Sequence, residues 1–384
     1  ATNVVEDNGA DMIVLAHPSL QPSLARWITL RQGQGHRILM VSPQQVWNQF
    51  SGGDKSIPAI RTWLRYLYRN WSHPPDYLVL AGDASEDYRK DLGTSDPDYV
   101  PTMMAFGPVP GADQRAELIG SDNYFVGALD ARDGDADIFP ELHSGRLSAS
   151  TPAEMDILVD KLVAYDTYSP DDAWRNRGLI VCDDQYSSSI TGTGSYCYQG
   201  SQERGFEQAG DSLCVLFNRD ACYTDFSCDL FKVGPYYDSA PELGRNVAGR
   251  DQPGAGRDCV DIGAHVAYSK AHVSPAWVQA ASKGYLFQIY GGHANRFVMG
   301  TERFVEFNGA FSSPEYRTTD QLTNYGKPFI FIGAACHLNE FEHFQELDSK
   351  HSLAEAMMFL PGRGAIASIA SSGYEWVYTN KPTE

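Results

Sequence analysis

Two residues of the chain, His293 and Cys336, carry the side chains that nucleophilic catalysis by a thiol requires: a thiolate and its base or ion-pair partner. Each follows an apolar run of strand length that ends in small residues, LFQIYGGHA at 286–294 and FIFIGAACHL at 329–338. In open α/β sheets, ligands bind beyond the carboxyl ends of the strands. We therefore expect both side chains to lie at the same edge of a sheet.

The first part of the chain alternates strand and helix signals, which is typical of a mostly parallel sheet flanked by helices. Apolar runs and apolar spacing predict strands at 12–16, 38–41 and 77–81 and helices at 22–32 and 56–71. Residues 84–140 are irregular and contain many Asp, Gly and Pro. A helix with Thr151 as N-cap, Pro152 at its first position and Glu154 as the capping-box partner is predicted to follow, ending near Tyr165.

A second α/β unit is predicted to contain both reactive side chains. Besides the two strands described above, its predicted elements are strands at 179–182 and 365–370 and helices at 275–283 and 352–358. The fold class predicted for the chain is α/β, with mostly parallel sheets and two subdomains. Their predicted bounds are 1–149 and 150–384.

The acidic charge of the chain argues against nucleic acid as a partner. The net charge is −19, whereas nucleic-acid binding requires clusters of Lys and Arg. The sequence contains no run of about 18 apolar residues, so no transmembrane segment is predicted, and no N-terminal signal segment is visible. A mature form whose leader has been removed would look the same.

The chain has seven cysteines, and six of them fall between Cys182 and Cys259 in a stretch rich in Gly, Ser and Tyr. The seventh, Cys336, stands apart. This distribution predicts up to three disulfides in a loop-rich region, with Cys336 left as a free thiol. A zinc site is the less favoured alternative, because the sequence has no C-x-x-C pair. The disulfide interpretation favours a protein that is secreted or held at the cell surface.

An acidic segment, DARDGDAD, places Asp130, Asp133, Asp135 and Asp137 around a glycine, as a calcium-binding loop would. It does not complete an EF-hand, because no Glu stands at the twelfth position. Structural calcium and a solvated acidic loop fit this pattern equally well.

A second metal alternative is the segment HLNEFEH, in which His337, Glu340 and His343 are spaced three residues apart. On a helix these side chains would share one face and could hold a metal for hydrolysis. The segment lacks the H-E-x-x-H pattern, so a position beside the cleft or on the surface is favoured instead.

Several longer segments together resemble one family, the gingipain-like cysteine peptidases (peptidase family C25), which share the caspase-type sheet. The resemblance covers nearly the whole chain and depends on the order and spacing of the segments. They are DYLVLAGDA (76–84), SDNYFVGALDARDGD (121–135), SGRLSASTPAEM (144–155), IYGGHA (289–294), QLTNYGKPFIFIGAAC (321–336) and SLAEAMMFLPGRGAIASIASS (352–372).

The resemblance implies that Cys336 is the nucleophile and His293 its catalytic partner. It also implies an oxyanion hole formed by the backbone N–H groups of Cys336 and of Ala294. The family usually has glycine after the histidine, so the methyl group of Ala294 would crowd this hole, and a positive φ there would be strained. Asp184 lies close to the family's acidic position, but Gln185 aligns about as well.

The function implied is a secreted cysteine endopeptidase that acts on proteins or peptides through a thioester acyl-enzyme. No cofactor is required for this chemistry, and calcium would be structural. A sortase-like transpeptidase on the same Cys-His dyad is an alternative, because water and an amine can attack the same thioester. A catalytically inactive binding domain is another alternative, and Ala294 is the feature in its favour.

Overall fold

The structure is a computed structural model that describes residues 3–91, 93, 97–108, 116–130, 139–167, 172–184, 186–188, 195–198, 205–219, 226–240, 259–307, 317–342 and 351–375. At Pro108 and Ala116 and in 186–188, 195–198 and 259–262 it describes the backbone alone. The chain forms two compact units, Ala1–Asp166 with Phe341–Lys350, and Thr167–Glu340 with His351–Glu384.

The first unit is built on a four-stranded parallel sheet with the strand order β2-β1-β3-β6. An antiparallel pair, β4 and β5, accompanies it. The strands are β1 (Met12–Ala16), β2 (Ile38–Val41), β3 (Tyr77–Ala81), β4 (Met103–Pro108), β5 (Ala116–Ser121) and β6 (His143–Leu147). The helices are α1 (Gln21–Gly33), α2 (Pro43–Phe50), α3 (Ile57–Asn70), α4 (Asn123–Val126) and α5 (Pro152–Asp166).

The predicted elements of this unit are present, and their ends follow from local hydrogen bonding. Strand β1 is buried along its whole length, as its apolar sequence requires. Ser56 caps α3 by accepting the Ala59 N–H. Thr151 and Glu154 form the predicted capping box at α5, because each side chain accepts the backbone N–H of the other residue. The β4–β5 pair lies within the segment that was predicted to be irregular.

Helix α5 packs against α1. Arg31 and Asp166 form an ion pair of 2.7 Å between the two helices, and Arg26 pairs with Asp160. These contacts make α5 a part of the first unit, whose first segment ends at Asp166. The predicted bounds, 1–149 and 150–384, assigned the same helix to the second unit.

The second unit is built on a five-stranded, wholly parallel sheet with the order β10-β7-β12-β16-β17. Its strands are β7 (Arg177–Cys182), β10 (Ser227–Lys232), β12 (Phe287–Gly291), β16 (Phe329–Ala334) and β17 (Ala365–Ala370). Two small antiparallel sheets have the orders β11-β9-β8 and β13-β14-β15. Their strands are β8 (Tyr186–Ser188), β9 (Ser195–Tyr198), β11 (Cys259–Asp261), β13 (Ala294–Asn295), β14 (Val298–Met299) and β15 (Val305–Glu306).

The helices of the second unit are α6 (Gly205–Arg219), α7 (Gly234–Asp238), α8 (Ile262–Tyr268), α9 (Ser274–Ala281) and α10 (Leu353–Met358). Two of them, α6 and α7, lie inside the region predicted to consist of cysteine-rich loops. Helix α6 packs against β7 and β10, so the cysteine-rich region contributes to the main layer of the unit. The predicted fold class, α/β with mostly parallel sheets, is confirmed.

The structure contains a disulfide within the predicted cysteine-rich region, but the prediction that all six clustered cysteines are paired is wrong for one residue. Cys214 on α6 is bonded to Cys228 on β10, which joins this helix to the sheet. Cys182 at the end of β7 is a buried free thiol, so the six clustered cysteines do not form three disulfides. The Sγ atom of Cys182 packs directly against Gly210 of α6. Burial raises the pKa of this thiol to about 12.

These contacts change the expected thiol count. The sequence predicted one free thiol per chain after denaturation without reductant, and the structure predicts at least two, Cys182 and Cys336. In the native protein, a polar thiol reagent should modify the partly exposed Cys336 and leave Cys182 unmodified until the chain unfolds. Peptide mapping of the alkylated protein measures both. Modification of Cys182 in the native state would contradict its burial against α6.

Candidate active site

Strands β12 and β16 bring His293 and Cys336 to the same edge of the parallel sheet. The two strands are hydrogen-bonded neighbours, and Gly291 is in register with Ala334. His293 and Cys336 each stand two residues beyond this last matched pair. The Gly292 N–H continues the ladder by donating to the Ala334 carbonyl at 3.4 Å. Both residues thus lie at the same edge of the sheet, as the sequence predicted. The structure adds that their strands are neighbours.

Asp183, the first residue after β7, holds the backbone of the His293 segment. Its carboxylate Oδ2 accepts the His293 N–H at 2.7 Å and lies 3.1 Å from the Tyr290 hydroxyl. Its Oδ1 accepts the N–H of Asp184 at 3.0 Å, and its own N–H donates to the Gly291 carbonyl at 3.0 Å. Asp183 therefore fixes the chain on both sides of Gly292.

Tyr290 and Gly300 hold the segment from the other side. The Tyr290 hydroxyl contacts the His293 carbonyl oxygen and accepts the Gly300 N–H at 3.0 Å. The Gly300 N–H also lies 2.8 Å from the His293 carbonyl oxygen, so it is shared between two acceptors. The ring of His293 meets Phe206 of α6 edge to face, with 5.6 Å between the ring centroids. Hydrogen bonds thus fix the backbone of His293, and an aromatic ring contacts its side chain.

The second glycine of the Gly-Gly pair is required by this packing. A Cβ atom at Gly292 would collide with the Asp183 side chain and would lie 2.5 Å from the Tyr290 hydroxyl oxygen. Any larger residue would push Asp183 away from the His293 N–H. Close approach of a neighbouring carboxylate, rather than a turn, explains the glycine at this position.

Asp183 is 1% exposed, and its carboxyl titrates abnormally. Burial raises the pKa of Asp183 to about 6, although His293 and the hydrogen bonds from the His293 and Asp184 N–H groups favour the charged form. The sequence prediction missed this residue and chose its neighbour Asp184. The signal that could have found it is its place directly after a buried strand that pairs with the strand of His293.

Asp184 lies in a buried group with His265 of α8 and Glu302 of the β14–β15 connection. All three side chains are at most 1% exposed. Burial and the neighbouring Asp183 raise the pKa of Glu302 to about 8. The role predicted for Asp184, orienting the catalytic histidine, stays a prediction.

Cys336 is a free, partly exposed thiol in a tight turn beyond β16. Its Sγ atom accepts the N–H of Glu375 at 3.4 Å. The next residue, His337, has a φ of 56°, and its N–H donates to the Gly373 carbonyl at 2.8 Å. This left-handed conformation, which is strained for a residue other than glycine, makes the sharp turn that follows Cys336. The segment after β17 therefore runs alongside the thiol.

Ala294, whose N–H is the second predicted oxyanion donor, belongs to β13 and is in register with Met299 of β14. Its φ is not in the left-handed region, unlike that of His337 or Arg303. The alanine therefore stands without the backbone strain that its replacement of glycine suggested.

We expect the Ala294→Gly substitution to leave turnover within a few-fold of the original enzyme, because no strain at this position is released. The added backbone freedom should lower the free energy of unfolding by about 0.5–1 kcal/mol. Steady-state kinetics and thermal unfolding measure the two effects. A loss of activity comparable to removing an oxyanion donor, about 10²–10³-fold in kcat, would contradict the placement of the hole.

The other predicted metal ligands are only partly described. His337 and Glu340 contact each other, with 3.0 Å between Nδ1 and Oε2. His337 lies in a turn and Glu340 directly follows this turn, so the two residues are not on a helix. The third member of that set, His343, lies outside the described residues. Of the acidic segment, Asp130 is exposed, while Asp133, Asp135 and Asp137 lie outside the described residues, as does Gln185.

Within the described part of the chain, every helix is too short or too polar to span a bilayer.

No curated protein matches the chain significantly. Among solved structures, gingipain R (RgpB), an Arg-specific cysteine proteinase, has a TM-score of 0.60 at 16% identity over 98% of this chain and 66% of its own. A complex of the pro- and mature domains of RgpB from Porphyromonas gingivalis has a TM-score of 0.59 at 16% identity over 94% and 64% of the two chains.

A further solved structure, described as a protease, has a TM-score of 0.54 at 19% identity over 97% of this chain and 61% of its own. The chain thus spans 61–66% of the length of these three proteins, and the likeness shows a shared fold. The sequence also matches the profile of peptidase family C25 over residues 5–384. This match confirms the predicted resemblance to that family. The chain belongs to peptidase family C25.

Proposed function

We propose that this chain is an exported endopeptidase in which Cys336 is the nucleophile and His293 its acid–base partner. The observation that supports this most is the register of β12 and β16, which gives both residues the same offset from one matched pair. Thiol proteases require a thiolate within reach of an imidazole on a fixed support. Adjacent parallel strands, about 4.8 Å apart, supply such a support.

The reaction would follow from the properties of these two side chains. The Cys336 thiolate attacks the carbonyl carbon of the scissile peptide bond and forms a tetrahedral oxyanion. The C–N bond then breaks, imidazolium His293 gives its proton to the leaving amine, and a thioester remains. Neutral His293 next takes a proton from water, whose oxygen attacks the thioester. The C–S bond breaks, the acid is released, and the Cys336 thiolate and imidazolium His293 are regenerated. The N–H groups of Cys336 and Ala294 are the proposed donors to the oxyanion.

Asp183 would serve as a positioning residue in this mechanism. Its carboxylate accepts the His293 N–H at 2.7 Å. The backbone N–H of Asp183 donates to the Gly291 carbonyl of β12, which holds Asp183 against the sheet. The imidazole can then remain near the thiol without a large loss of entropy when substrate binds. This role differs from that of the acid in a serine protease triad, which contacts the imidazole itself.

Export is proposed on the chemistry of the cysteines. The Cys214–Cys228 disulfide requires an oxidising environment to persist, which secreted and surface proteins have. The proposed substrates are proteins or peptides. Arginine specificity is a property of the similar RgpB structure and is not transferred to this chain.

The test is the rate at which iodoacetamide alkylates Cys336 at pH 6. A thiolate paired with His293 should react far faster at this pH than an ordinary thiol, because an ordinary thiol is almost wholly protonated there. Peptide mapping follows Cys336 and Cys182 in the same sample, and the buried Cys182 serves as the internal control. The His293→Ala variant should slow the alkylation of Cys336 to that of a simple thiol. Slow alkylation of Cys336 in the unmodified protein would overturn the proposal.

A further inference from the structure

The buried group of Asp184, His265 and Glu302 comes from three separated parts of the second unit. Asp184 follows β7, His265 lies on α8, and Glu302 lies in the β14–β15 connection. One ligand atom from each, two carboxylate oxygens and one imidazole nitrogen, lies within 4.8 Å of the other two. Atoms on opposite sides of a metal ion bound at 2.0–2.6 Å lie about 4–5 Å apart, so the group has the size of a coordination shell.

The buried carboxylate of Glu302, a member of this group, has a hydrogen bond at only one of its two oxygens. Its Oε1 accepts the Thr301 hydroxyl at 2.7 Å. Its Oε2 is buried and has no hydrogen-bond partner among the described residues, and the residue is 0% exposed. A buried acceptor of this kind costs free energy unless a cation or a donor satisfies it.

The acidic side chains around the group would attract a cation. Three buried carboxyls, those of Asp183, Asp184 and Glu302, lie together, and burying several carboxylates is costly unless positive charge accompanies them. The ring of Tyr237 covers His265 edge to face at 4.2 Å, and its hydroxyl donates to Ser269 at 3.0 Å. An aromatic wall thus encloses part of the group.

We propose that Asp184, His265 and Glu302 bind a divalent transition-metal ion of the zinc class. The imidazole ligand selects against calcium and magnesium, which take oxygen ligands, and the mixed nitrogen and oxygen set suits Zn²⁺. The site is structural rather than catalytic, since it is buried. It is also distinct from the acidic segment that includes Asp130.

Such an ion would brace the segment of His293 from both ends. Asp184 is the neighbour of Asp183, which binds the His293 N–H. Glu302 is two residues beyond Gly300, whose N–H lies against the His293 carbonyl oxygen. Binding of the ion stands independently of the proposed peptidase activity, and its test uses no activity measurement.

The test uses Zn²⁺ as the probe and the Cys336→Ala variant as the parent protein, so that the thiol cannot bind the metal and self-cleavage is avoided. After removal of metals with a chelator, the protein is supplied with Zn²⁺ and freed of excess by gel filtration. Elemental analysis should find about one Zn²⁺ per chain, and the thermal midpoint should rise by several degrees relative to the metal-free protein. Absence of both effects would overturn the proposal.

Substitutions assign the ion to the group. His265→Gln and Glu302→Gln, each added to the parent, should lose the bound Zn²⁺ and the rise in thermal midpoint. The matched control is Glu355→Gln, which alters another buried carboxylate, that of the α10 capping box, and should keep both. Retention of Zn²⁺ by His265→Gln and Glu302→Gln would place the ion elsewhere and contradict the proposal.

A spectroscopic measurement covers the case in which these variants fail to fold. Co²⁺ bound to the parent protein should show visible bands of nitrogen and oxygen ligation without thiolate charge-transfer absorption. Thiolate absorption would place the ion on a cysteine such as Cys182 and would overturn the assignment.

Discussion

Replacing Cys336 with alanine should abolish peptide cleavage while leaving the protein folded. Without the thiol no thioester can form, and removal of a catalytic nucleophile in other proteases lowers kcat by about 10⁴–10⁶-fold. The thermal midpoint should shift little, because Cys336 lies partly exposed in a turn at the sheet edge rather than in the core. A fluorogenic peptide assay and thermal unfolding of the same preparation measure both quantities.

The matched control for this substitution is Cys182→Ala. Cys182 is the other described free thiol, and it is buried between β7 and α6. Its replacement should leave kcat within a few-fold of the original and lower the free energy of unfolding by about 1 kcal/mol, because a small cavity forms. Retained activity in Cys336→Ala would contradict the role of Cys336 as the nucleophile. If Cys336→Ala unfolded the protein and Cys182→Ala abolished cleavage, the two thiols would have the opposite roles.

The second large effect is expected for Asp183→Asn. An amide can present only one acceptor oxygen, so either the His293 N–H or the Asp184 N–H would face an amide NH₂ group. A buried donor left without an acceptor costs about 1–3 kcal/mol, and the His293 segment would move to relieve it. Misplacement of a catalytic group by about 1 Å costs about 10²-fold in rate, so we expect kcat to fall by about this factor.

Positioning of His293 can be separated from a general loss of structure. KM should change little in Asp183→Asn, because substrate binding does not use the imidazole, and alkylation of Cys336 should slow together with kcat. The control is Asp229→Asn, which alters a partly exposed carboxylate of the same sheet that binds Arg177 and Tyr285. It should keep kcat. Equal effects of the two substitutions on kcat would contradict a specific role for Asp183.

The elements that carry the dyad could be predicted because their sequences are locally complete. The runs at β12 and β16 are apolar, of strand length, and end in small residues, and these three properties suffice to place a strand and its exit. The beginning of α5 could be predicted for a similar reason, since Thr151 and Glu154 satisfy each other's backbone N–H groups within one turn. No distant contact is needed for either prediction.

The parts of the site that were missed depend on contacts between distant segments. Asp183 and Asp184 follow the same strand, and only the approach of Gly292 determines which carboxylate reaches the His293 N–H. His265 and Glu302 join Asp184 from segments whose sequences carry no shared motif. Cys182 was wrongly predicted to be disulfide-bonded because α6, against which it packs, was not recognised within the cysteine-rich region.

The distance between His293 and Cys336 depends on the pairing of β12 with β16 and not on the length of chain that connects the two strands. A peptide bond broken in an exposed part of that connection would leave the hydrogen bonds of the ladder and the buried faces of both strands in place. The histidine and the cysteine would then reside on two polypeptides that remain one folded particle. A preparation that runs as two fragments on a denaturing gel should therefore still be assayed for activity, because the strand pairing that holds the two residues together does not depend on that connection.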